Sequence, residues 1–137
     1  MGRVINPEGA GKERTRLARS LVLAIRELVE QDQADSKTKD LATYIALALQ
    51  EVAQTVEASV GPWEKRGYWV KADRFRLEWA WTEQLSAKIL AALQENDWQA
   101  VAIATAQVAE KLSNVKVPKR HNLGTPWVNA WEKMIAK

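Results

Sequence analysis

A chain of 137 residues, 47% apolar and 27% charged, has the length of one domain and enough apolar surface to bury a core. It has no Cys and a single His, which removes disulfides, thiolate metal sites, Cys nucleophiles and any site needing two imidazoles. The net charge of +3 is unevenly spread: residues 1–31 carry +2, 32–61 carry −3, 62–76 carry +3, 77–113 carry −3 and 114–137 carry +4. The cations therefore lie in three blocks.

Residues 1–10 hold Gly2, Pro7 and Gly9 without apolar periodicity and read as an extended arm. From about Gly11 to Gln31, Leu17, Leu21, Ala24, Ile25 and Leu28 recur at helical spacing, with Lys12, Arg16, Arg19 and Arg26 on the opposite side. Gly9-Ala10-Gly11-Lys12 has the ending of a phosphate-binding loop. It lacks the earlier Gly, where Asn6 stands, and the Ser or Thr, where Glu13 stands, so it reads as a plain helix entry.

A polar stretch, 32–39, offers Asp35 or Ser36 as an N-cap for a second helix over about 39–59. Leu41, Tyr44, Ile45, Leu49, Val52 and Val56 mark its buried face. Ala42, Ala46 and Ala53 leave a narrow side for a close neighbour. Gly61-Pro62 is expected to end it.

The third helix is expected from Pro62 to Glu95, weakened at Gly67. Within residues 61–81 four Trp, a Tyr and a Phe are interleaved with three Arg and two Lys. Tyr68, Ala72, Phe75 and Trp79 form one stripe, and Val70, Leu77, Trp81 and Leu85 form another, which places the helix in the middle of a bundle or at an interface. Arg74 falls inside the second stripe, where it must either pair with a carboxylate or face a partner.

Asn96, with Gln99 at the third position after it, reads as the N-cap of a fourth helix over 97–112, with Trp98, Val101, Val108 and Leu112 inward. Residues 113–125 form a basic loop containing Lys116, Lys119, Arg120 and His121. Thr125-Pro126 opens a short terminal helix carrying Trp127, Ala130, Trp131, Met134 and Ile135 on one face. No strand alternation or internal repeat appears, so the expected fold is all-α: an antiparallel four-helix bundle with a short fifth C-terminal helix, in one domain.

Neither a carboxylate-bridged metal pair nor a three-His zinc site can be assembled with one His outside the helices. Asp73, Glu78 and Glu83 are spaced like surface ion-pair formers rather than a converging acid–base pair, so a catalyst, cofactor or metal is not expected. The remaining signal is cationic. Lys12, Arg16, Arg19, Lys65, Arg66, Lys71, Arg74, Arg76, Lys119 and Arg120, with Trp69 as a base-stacking ring, are the expected nucleic-acid-binding residues, acting through backbone charge. The expected role is an accessory subunit of a ribonucleoprotein or chromosome-associated assembly. The alternative is a protein–protein adaptor or homo-oligomer that uses the third and C-terminal helices. No leader pattern or membrane-length apolar run appears, which points to the cytoplasm and away from the membrane.

Overall fold

The computed structural model describes residues 6–136, and α2 lies at its centre. The helices are α1 (Ala10–Val29), α2 (Ser36–Lys65), α3 (Trp69–Trp79), α4 (Trp81–Gln94), α5 (Trp98–Lys111) and α6 (Ala130–Ile135). They form the all-α bundle with a short terminal helix that the periodicity predicts, and there is no strand among the described residues. α1, α3, α4 and α6 all pack on α2, while α5 packs mainly on α4. Leu41, Ile45 and Leu49 of α2 are fully buried against Leu17 and Leu21 of α1 and Ile89 and Leu93 of α4. The narrow Ala side of α2 receives α4 closely enough for the Ser86 hydroxyl to donate to the Ala46 carbonyl at 2.7 Å. No helix among the described residues is long and apolar enough to cross a membrane.

The helix ends follow local rules. Asp35 caps α2 by accepting the Thr38 N–H at 3.0 Å, and Asp97 caps α5 by accepting the Ala100 N–H at 3.0 Å. Asn96, expected as the cap of α5, is not that cap: with φ of 54° it closes α4 in a Schellman turn in which the Asp97 N–H donates to the Ala92 carbonyl.

Further expectations need correction. The part of the N-terminal arm that is described, Pro7–Gly9, is a 3-10 turn capped by Asn6 and packed on α1 and α2, and the rest of the arm, 1–5, lies outside the described residues. Gly61-Pro62 does not end α2: the helix passes through Pro62 to Lys65. A Pro at an interior position costs about 3 kcal/mol, but the last turn of α2 is held from outside, Trp63 packing edge-on to Phe75 and Glu64 pairing with Arg76.

Gly67 is the real stop. With φ of 82° it lets the Tyr68 N–H reach the Trp63 carbonyl at 2.8 Å and its own N–H reach the Glu64 carbonyl at 2.9 Å. The expected third helix is also broken again at Ala80, whose N–H turns to the Leu77 carbonyl three residues back. Neighbours two apart do not meet on a regular helix, yet Trp79 and Trp81 stack here with centroids 6.0 Å apart. The break allows that contact.

Finally, of the two places open to the stripe of Val70, Leu77, Trp81 and Leu85, the middle of the bundle is not the one it takes along its whole length. Leu85 is buried, but Val70 is 66% and Leu77 77% exposed. Tyr68 is also exposed.

Candidate nucleic-acid interface

After α5 the chain runs irregularly from 112 to 129, anchored at three points. Val115 is half-buried against the core, and Trp127 is buried with its ring edge-on to Tyr44 at 6.4 Å. The far end is fixed by Asp40 of α2, whose carboxylate accepts the N–H groups of Asn129 at 3.0 Å and Trp131 at 3.1 Å. This is a helix cap supplied across the fold, since Asn129 makes no side-chain cap bond of its own. Lys39, next to Asp40, places its ammonium 4.0 Å from the Trp131 ring centroid.

Anchored in this way, residues 118–123 are laid along the first turns of α1. Between them is a groove of about 470 Å³ lined by Lys12, Thr15, Arg16 and Arg19 from α1 and by Arg120 and His121 from the loop. Among the described residues no carboxylate lines it. Arg16 is steadied from the side by a two-pronged bond to Glu13, one turn earlier on α1. His121 accepts the Leu123 N–H on Nδ1 at 3.3 Å, which leaves Nε2 as its other ring nitrogen. Lys119 is exposed beside the groove without lining it.

The other expected residues are not brought into the groove. Lys65, Arg66, Trp69, Lys71 and Arg74 sit at the end of α2 and on α3, all exposed. Lys71 lies 4.3 Å over the ring of Trp63. Arg74 is neither paired inside nor buried, and it makes no ion pair among the described residues.

Arg76 must be withdrawn from the expected binding set. Its guanidinium is held by Glu57 at 3.0 Å and by both oxygens of Glu64 at 2.8 and 2.9 Å, with Asp73 at 3.7 Å. These carboxylates raise its pKa above the usual arginine value, Glu64 contributing first, and in turn Arg76 holds the Glu64 carboxyl below its ordinary range. Arg76 thus fastens α3 to α2 with its donors occupied.

The internal arginine is Arg14, which the sequence reading does not single out. Its guanidinium lies 4.8 Å from the Phe75 centroid and 5.7 Å from that of Trp79, and one nitrogen donates to Thr55 Oγ1 and Ser59 Oγ, each at 3.2 Å. Burial pushes its pKa down, partly opposed by the charge of Glu78. Its helical position was the available signal: at 100° per residue Arg14 falls away from Lys12, Arg16 and Arg19, toward the apolar side of α1. Thr15 and His121 were also missed, because only the loop's placement puts them beside the cations.

Comparison of the chain with known protein families, with curated proteins and with solved structures found no match.

Proposed function

We propose that this protein binds nucleic acid through its phosphate backbone, in the groove between α1 and residues 118–123. The observation that carries the reading is the convergence of Lys12, Arg16 and Arg19 with Arg120 and His121, from segments about a hundred residues apart, on a wall without carboxylates. Along the α1 axis Lys12 and Arg19 are about 10 Å apart, roughly the rise of three nucleotides on one strand of a duplex. Such a row neutralises consecutive phosphates.

No aromatic ring lines the groove, so contact is to the backbone rather than to unstacked bases, and sequence readout is weak. The role is binding rather than catalysis. Thr15, the one hydroxyl in the wall among the described residues, donates its proton to the Gly11 carbonyl at 3.0 Å, away from any base. A protein of this kind acts in the cytoplasm as an accessory subunit of a ribonucleoprotein or chromosome-associated assembly.

Fluorescence anisotropy with labelled duplex and single-stranded oligonucleotides, titrated at several salt concentrations, tests this. The expected result is binding that weakens linearly in log–log form with salt. Binding that is absent at low salt, or indifferent to salt, refutes it.

A further inference from the structure

Eight large apolar side chains are exposed among the described residues, and four of them, Tyr68, Trp69, Val70 and Leu77, fall within residues 68–77. Their exposures run from 52% to 77%, and soluble monomers seldom gather so much apolar surface in one place without using it. Val70, Arg74 and Leu77 stand at i, i+4 and i+7, one outward stripe of α3, whereas Ala72 is buried on the other side.

This stripe is held in a fixed position. Arg76 fastens α3 to Glu57 and Glu64, Phe75 packs on Trp63, and Arg14 lies over Phe75 and Trp79. A partner therefore meets a pre-formed surface and does not have to order it.

Charge identifies the occupant. Lys65 and Arg66 at the end of α2 and Lys71 and Arg74 on α3 are exposed against two exposed carboxylates of α3, Asp73 and Glu78, so the region is cationic on balance, and Arg74 lies within the apolar stripe without an ion pair among the described residues. We infer that α3 is a docking surface for an acidic amphipathic helix of another protein. Its apolar residues would cover Val70 and Leu77, and a carboxylate between them would meet Arg74.

The same surface fits other occupants less well. A second copy would bring the same cations face to face. A nucleic acid would satisfy Arg74 but leave Val70 and Leu77 against sugar and phosphate. The inference stands apart from the groove, since no residue is shared between the two surfaces.

The test uses the full chain and a fluorescently labelled, helix-stabilised peptide with Leu at three- and four-residue spacing and Glu beside it. A version with Lys in place of Glu serves as control. Saturable binding of the acidic peptide is expected, weakened about tenfold or more by Leu77→Asp and by Val70→Asp, the effect of removing central interface anchors. Arg74→Glu is expected to lose the acidic peptide and gain the basic one. Because all three side chains are exposed, thermal melts of the variants should match the parent, and any that does not is replaced by the remaining two.

Failure of the acidic peptide to bind overturns the inference, as does binding indifferent to these substitutions. It is equally overturned if Leu77→Asp abolishes self-association seen by light scattering. Selective loss of binding to a single-stranded oligonucleotide or to phosphatidylserine vesicles, with the peptide unaffected, overturns it too.

Discussion

The guanidinium of Arg14, on the first turn of α1, lies 4.8 Å from the centre of the Phe75 ring on α3 while bonding to two hydroxyls of α2. One side chain thus joins three helices. Replacing it with Lys keeps the charge but loses the planar guanidinium that lies over Phe75 while one of its nitrogens reaches both Thr55 and Ser59, and replacing it with Ala removes charge, ring contact and both hydrogen bonds. Arg14→Ala is expected to cost about 1–3 kcal/mol and Arg14→Lys less. Urea unfolding followed by circular dichroism measures both. Equal stability of all three proteins would show that the Arg14 contacts add nothing.

Acid should weaken the attachment of α3 to α2. Arg76 holds the Glu64 carboxyl below its ordinary value, and the Thr38 N–H does the same for Asp35 at the start of α2. A carboxyl whose folded pKa is depressed binds fewer protons in the native state than in the unfolded one. Its stabilising effect is therefore complete above the unfolded value and is lost as pH falls through the folded value. The urea midpoint should be level from neutral down to about pH 5 and fall below about pH 4. Glu64→Gln should lower the midpoint at pH 7 and flatten this acid decline. Parallel curves for the variant and the parent would contradict the assignment.

At the other end of the fold, Asp40→Ala removes the acceptor for the N–H groups of Asn129 and Trp131. Loss of a helix cap costs about 1 kcal/mol, and here the loss is local to α6. Amide hydrogen exchange should quicken over residues 129–135 with little change in α1, α2 or α4. Uniform acceleration would instead mean that Asp40 supports the whole bundle.

Gly67→Ala probes the stop of α2. At φ of 82° a Cβ is strained although nothing crowds the position, so the cost is backbone energy alone, about 1 kcal/mol. A thermal melt reads it. An unchanged melting temperature would show that the left-handed turn is not required.

In the groove, Arg19→Gln and Arg120→Gln each remove one cation without reversing charge. Each should weaken oligonucleotide binding and lower the slope of log affinity against log salt by about one. Arg76→Gln, by contrast, should leave the slope alone and lower stability, because its donors are spent on Glu57 and Glu64. A salt slope that changes with Arg76 but not with Arg120 would move the interface to α3.

The all-α class, the extents of α1 and α5 and the cap at Asp35, offered beside Ser36, were legible in the sequence, whereas the cap of α5 falls on Asp97 and not on the expected Asn96. These depend on periodicity and on side chains that bond their own backbone, and both act within a few residues. What tertiary structure alone decided is where the chain meets itself. Pro62 is carried inside α2 because Trp63 and Glu64 have partners on α3. Arg76 is occupied because two carboxylates of α2 face it, and Arg14 rather than Arg74 is the internal cation because of how α1 settles on α2 and α3. The groove forms because Val115, Trp127 and Asp40 pin a loop whose own residues have no regular pattern. Contacts between residues far apart in sequence depend on the packed arrangement of every helix at once, and no local rule encodes them.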